Sequence, residues 1–315
     1  MARARGSARG GDRGGGGRVF RRAVADGFPP ARLPAPVQVN ALESFERLIG
    51  ARCEAPLPLL EAAASVALYA RQDFDPAQVV QTVRTWGERL RARIAPDASS
   101  VSRLRMLNHF YFDELGFGPD EDDYYCVDNS YLHRVVERRA GIPITLSLLY
   151  IEIGRAIGLK LAGVGFPGHF LVKLAMSEGA LFIDVFGRGQ TLSAEALRAR
   201  LKAVLRGSDE PPLAPYLRAA SEREVLARLL RNLKAIHAEN EDWPALLEIQ
   251  HRLVALLPDV PEERRDRAFV FERLQCPRAA AQDLSAYLAA RPEPADARQL
   301  RPRLAALWDA AKRLN

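Results

Sequence analysis

A chain of 315 residues with 48% apolar content is long enough to bury a sizeable core and to form about two domains. Its formal charge of +6 sits wholly in residues 1–35, where eight arginines face two aspartates, so the neutral remainder gives no electrostatic case for binding nucleic acid. No apolar run approaches the roughly 20 residues of a membrane span, the N-terminal arginines precede no apolar segment, and Cys53, Cys126 and Cys276 are too scattered for a disulfide framework or a cysteine-rich metal site.

A reducing cytoplasm is therefore the expected compartment. Residues 1–38 read as an Arg/Gly/Pro-rich tail, in which Phe28-Pro29-Pro30 and Leu33-Pro34-Ala35-Pro36 prevent helix. The tail is expected to be disordered, with order beginning near Val39. Helical periodicity follows, in Phe45, Leu48, Ile49 and Cys53, then Leu59 to Ala70, then Val79, Val80, Val83, Trp86, Leu90 and Ile94. Asp75-Pro76 supplies an N-cap and an N1 proline for the third of these helices. A fourth helix is predicted over about Val101 to Leu115, ending at Gly116. It carries His109, expected to be a partly buried core histidine, because Asp113 alone lies at helical spacing and one pair is not a metal site.

Asn129 or Ser130 is placed to cap a short helix that ends before Gly141. The next helix starts at Pro143, where a missing N–H costs nothing, and closes at Ile157 with Gly158 beyond it. Ile144, Leu148, Leu149, Ile151 and Ile153 nearly encircle it, which predicts a buried central helix. Strands are predicted over Leu159 to Phe166, His169 to Met176 and Ala180 to Phe186, separated by Pro167-Gly168 and Ser177-Glu178-Gly179. They should form an antiparallel sheet against that helix.

Asn129-Ser130-Tyr131-Leu132, Arg138-Arg139-Ala140-Gly141-Ile142-Pro143-Ile144, Gly163 through Phe170, and Phe182-Ile183-Asp184 together resemble the SirB-type branch of the transglutaminase-like superfamily. The resemblance covers about residues 40 to 290 and implies a papain-like core in which a Cys at a helix N-terminus works with a His and an Asp. It places His169 on the His, Asp184 on the Asp and Pro143 on the Cys, consistent with the 17-residue interval from Gly141 to Gly158. Without a nucleophile the pair is expected to be structural, Asp184 holding His169 in one tautomer. Thr145 points about 200° around the helix from residue 143 and should not fill the slot. Cys126 lies upstream of it, with nothing to bring it to His169.

Beyond Ser193 the pattern is helical: Ser193 to Leu205, a breaker at Asp209 to Pro215, then Glu222 to Glu239, Trp243 to Leu256, Pro261 to Leu274, Pro277 to Ala290, and a last helix around Arg298 to Leu314. An offset of 34 pairs Ala245 with Ala279, Val254 with Leu288, Ala255 with Ala289 and Pro258 with Pro292, which resembles a degenerate tetratricopeptide repeat. The fold class expected is α+β, with a helical N-terminal layer and transglutaminase-like core in residues 39–207 and repeats in residues 221–315. The function expected is a non-catalytic interaction or regulatory module that takes a protein or peptide partner through the repeats, with no cofactor and no metal. One alternative is a hydrolase or transferase using His169 and Asp184 with an unidentified nucleophile or metal. The other is nucleic-acid binding through the basic tail.

Overall fold

A side-chain N-cap or a proline in the first turn starts most of the helices. The computed structural model describes residues 37–50, 57–71, 74–120, 123–205, 212–291, 293 and 295–313. The expectations for residues 1–36 of the tail, for Cys53, for Pro292 and for residues 209–211 of the breaker lie outside the described residues. The N-terminal layer comprises α1 (Val37–Gly50), α2 (Leu59–Ser65) with a 3-10 turn at Val66–Tyr69, and α3 (Pro76–Arg91). The Asp75 carboxylate accepts the Ala77 N–H, and Pro76 sits at N1.

The fourth helix departs from the regular pattern. α4 (Ser100–Asn108) gives way to a π-helix over His109–Glu114. This wider turn sends Phe110, Tyr111 and Phe112 inward and leaves His109 outside, its side chain 67% exposed and its Nδ1 3.0 Å from Asp113. His109 is thus not the core histidine that α-helical spacing implied.

A two-residue β1 (Gly118–Pro119) pairs in parallel with β2 (Ala140–Gly141) around a 3-10 turn at Val127–Asn129 and α5 (Leu132–Arg138). Neither Asn129 nor Ser130 caps α5, whose N-cap is Tyr131. Asn129 is buried instead and knits the loop, donating to Asp123 O at 2.7 Å and accepting from Arg138 at 3.0 Å. α6 (Pro143–Ala156) follows, with Gly158 beyond it at φ 82°, a conformation that glycine adopts without strain.

The sheet runs in the order β3 (Leu161–Val164), β4 (Leu171–Met176), β5 (Gly179–Asp184), β6 (Gln190–Leu192), with every neighbour antiparallel. The short fourth strand was not predicted, and the other three are trimmed. His169 lies in the turn before β4 rather than on it, because its N–H donates to Phe166 O at 3.1 Å across Pro167-Gly168. Gly168 at φ 67° suits the third position of such a turn.

The rest is helical: α7 (Ala194–Leu205), a 3-10 turn at Ala214–Leu217, then α8 (Glu222–Glu239), α9 (Trp243–Leu256), α10 (Pro261–Arg273), α11 (Pro277–Ala290) and α12 (Ala297–Arg313), from α8 on each packed on the next. Ser221 and Glu224 form a reciprocal capping box on α8. The largest core cluster runs from the N-terminal layer through α6 and the sheet into α8 and α9, while α10 to α12 share a smaller one. Among the described residues no helix is long and apolar enough to cross a membrane.

α6 packs so closely on β3 that a Cβ on Gly154 would lie 2.3 Å from Leu161 Cδ1 and 2.9 Å from Leu107 Cδ2. Gly154→Ala should gain up to about 1 kcal/mol of helix propensity and lose about 1–3 kcal/mol to overpacking. A lower urea midpoint is expected, and a higher one would show that Leu161 and Leu107 give way freely.

Candidate functional site

The turn 166–169 and the end of β5 bring two polar side chains together. His169 Nε2 lies 2.8 Å from Asp184 Oδ1, with side chains 17% and 4% exposed. The same Oδ1 accepts the Gly187 N–H at 2.9 Å, and Oδ2 accepts Arg200 Nη1 of α7 at 2.8 Å. Burial alone would raise the Asp184 carboxyl, but the bonds from His169, Gly187 and Arg200 outweigh it and lower the pKa to about 2. The imidazole packs edge-on against Phe186, 6.2 Å between centroids.

A further cation fixes the turn from behind. Arg228 of α8 donates through both terminal nitrogens to Phe166 O at 3.2 Å and through Nη2 to His169 O at 2.8 Å. The imidazole is therefore held at Nε2 by Asp184 while its backbone is held by α8. Nδ1 makes no hydrogen bond among the described residues, and a histidine tethered in this way can take or give a proton there.

A thiol enzyme of this design needs its nucleophile at the N-terminus of α6. The first residue of α6 is Pro143, buried and at N1. Thr145, fully buried, is already committed: its hydroxyl is 2.8 Å from Asn129 O and 3.1 Å from Ile142 O and accepts the Ile142 N–H. Cys126 stands before the 3-10 turn Val127–Asn129 and Cys276 before α11, and neither bonds to His169. Among the described residues no group of three or more His, Cys, Asp or Glu is placed to hold a metal ion.

A family model described as the transglutaminase-like superfamily matches residues 77–231, and one described as a tetratricopeptide repeat matches residues 233–305. A UPF0162 protein of Xylella fastidiosa (strain 9a5c) is 37% identical over 234 residues, covering 74% of this chain and 83% of that protein. The chain belongs to the UPF0162 family. Protein SirB1 of Salmonella typhimurium (strain LT2) is 26% identical over 226 residues, 71% of this chain and 82% of its own, which makes this UPF0162 member a SirB-type protein. F-box only protein 21 of Homo sapiens is 41% identical over 167 residues, half of this chain and 26% of the human protein. No solved structure matches.

Sequence reasoning named His169, Asp184 and Pro143 but missed Arg200, Arg228 and the Gly187 N–H. The Gly187-Arg188-Gly189 string, a turn signal beginning three residues after Asp184, pointed to the last of these. Nothing local marks Arg228, which lies 59 residues beyond His169.

The low pKa of Asp184 makes a signed prediction. Its folded-state value of about 2 lies below the ordinary 3.8, so the carboxylate stabilises the fold above about pH 4, and that stabilisation is lost as pH falls toward 2. Asp184→Asn should cost about 2 kcal/mol at pH 7, and the gap to wild type should close between pH 4 and pH 2. Urea unfolding at a series of pH values checks this, and a gap independent of pH would show that the charge is not what is held.

Proposed function

We propose that this protein is a non-catalytic transglutaminase-like protein acting as an interaction or regulatory module, its C-terminal helices forming a binding unit over residues 221–315. Pro143 in the nucleophile position carries this reading, because an N1 proline offers neither a side-chain nucleophile nor an N–H to stabilise an anion. His169 and Asp184 then serve as a tie between two turns, satisfying each other's buried polar atoms. Few and widely spaced cysteines favour action in the cytoplasm.

The partner is a protein or peptide. A cleft of about 570 Å³ between α12 and the α10–α11 junction, lined in part by Gln275, Pro277, Arg303 and Leu307, offers a place for a peptide or helix. The open Nδ1 of His169 favours a second reading, a hydrolase or transferase whose nucleophile comes from substrate or water.

Wild-type protein should turn over no amide or acyl substrate, and alkylating its cysteines should leave partner binding unchanged. His169→Ala should lower stability by about 1 kcal/mol, near the bottom of the range for a stranded acceptor, since Asp184 keeps its bonds from Arg200 and Gly187. Turnover that vanishes in His169→Ala at an unchanged melting temperature would restore the enzyme.

For the repeats, Ala306→Arg with Ala310→Arg blocks the cleft at positions outside the buried core. A partner cross-linked to the intact protein should be recovered about tenfold less well by this variant, a loss of about 1.4 kcal/mol. Equal recovery would exclude this cleft.

A further inference from the structure

Gly165 and Phe170, which flank the turn that carries His169, line a cleft of about 530 Å³ enclosed by α8, the 3-10 turn Ala214–Leu217 and the loop after α9. Arg218, Arg228 and Arg231 line it. Two of these cations are balanced. Arg218 pairs with Glu224 through both terminal nitrogens. Arg231 lies 2.8 Å from Glu263, and Lys234, which shares Glu263, also pairs with Asp266 at 2.6 Å.

Arg228 differs. It is half-buried, its hydrogen bonds go to the carbonyl oxygens of Phe166 and His169, its Nε makes none, and no carboxylate lies within ion-pair distance among the described residues. Burial pushes its pKa down, against the opposing pull of the Tyr124 hydroxyl. A guanidinium withdrawn from water without a counter-ion carries a desolvation cost that a bound anion would offset. Beside it, Phe170, Tyr216, Leu257 and Val260 supply an apolar wall. The cleft therefore presents a guanidinium that has carbonyl and ring contacts, the Phe170 centroid lying 5.7 Å away, but no carboxylate partner among the described residues, next to apolar surface and in a volume typical of sites for small ligands and short peptide segments.

We propose that this cleft binds an acidic peptide segment, with an Asp or Glu carboxylate on Arg228 and a neighbouring apolar side chain against Phe170 and Tyr216. One unbalanced charge matches a carboxylate better than a phosphate dianion. Occupancy is felt at His169, because the guanidinium that receives the carboxylate also holds the His169 carbonyl oxygen. The inference rests on the interaction reading above but uses a different surface, so the two fail separately.

The test uses the full chain and the peptide acetyl-Gly-Leu-Glu-Leu-Gly-amide, with its Gln counterpart as the neutral arm. By calorimetric titration the Glu peptide should bind at least roughly tenfold more tightly than the Gln peptide. Arg228→Gln should abolish that preference. Should Arg228→Gln fail to fold, Tyr216→Glu supplies a competing carboxylate on the cleft lining, leaves Arg228 in place, and should abolish it too. The His169 ring proton signals should shift on saturation with the Glu peptide and stay put in Tyr216→Glu. Ala306→Arg with Ala310→Arg should leave this binding intact even where it removes the partner of the repeats. Equal affinity for the two peptides, tighter binding of inorganic phosphate than of the Glu peptide, or a His169 signal unmoved at saturation would each overturn the proposal.

Discussion

Eleven of the fourteen residues of α6 are buried, and a helix that meets solvent only near its C-terminal end has to be enclosed by the rest of the chain. The enclosure is tight enough to exclude side chains. Gly87 of α3 approaches so closely that a Cβ there would sit 2.6 Å from Ala156 Cβ, and Gly154 faces β3 in the same way. A helix buried over most of its length also needs partners for its terminal backbone groups. Arg103 reaches from α4 to donate to Ile157 O at 2.6 Å, while Thr145 ties the N-terminal turn to Asn129. Tyr111 of the π-helix donates to Leu146 O at 2.8 Å in the first turn of α6.

The candidate site grows out of this packing. Tyr150 on α6 bonds to Asn108 Oδ1 at 2.5 Å, at the point where α4 widens into the π-helix. Gly189 rests on the same Asn108 and on Phe112, so the turn that follows Asp184 is docked against the π-helix. At φ 78° and with a Cβ position only 2.7 Å from both neighbours, residue 189 has to be glycine. Arg188 reinforces the dock through Asp113 at 2.8 Å. Asp184 is thus fixed by its own turn, by α7 and by His169 before any substrate is considered. A site over-determined in this way holds its geometry without help from a ligand.

How far these features could be read from the sequence depends on their range. Helices with local start signals were legible, as Asp75-Pro76 illustrates, and so was the central helix, whose apolar residues nearly encircle it. The π-helix was hidden because its apolar run His109-Phe110-Tyr111-Phe112 fits an α-helix equally well until tertiary contacts choose the wider turn. His169 looked like a strand residue because a turn hydrogen bond and the distant Arg228 decide its conformation. Asn129 resembled a cap because capping residues and buried loop bridges draw on the same short polar side chains. His169 and Asp184 were legible as a pair through the resemblance, whereas Arg200 and Arg228 join the site through packing alone.

The transglutaminase-like match ends at residue 231 and the repeat match begins at residue 233, yet α8 runs unbroken from Glu222 to Glu239. The N-terminal half of this helix holds the His169 turn through Arg228, and its C-terminal half carries His237 into a buried cluster with Tyr69 and Tyr131. In that cluster Tyr69 and Tyr131 share a hydrogen bond, and the Tyr69 hydroxyl lies 2.8 Å from His237 Nε2. Burial lowers the His237 pKa against the pull of Asp242, so the ring is neutral at pH 7 and able to accept from the tyrosine. Arg252 of α9 stacks over Tyr69 at 5.2 Å with no part of its side chain exposed. A continuous helix pinned by polar contacts on both sides of the family boundary cannot act as a hinge there, because bending it would break backbone hydrogen bonds and strand buried polar groups together. A displacement of α8 would therefore be felt along its whole length, and Arg228 would carry it into the His169 turn.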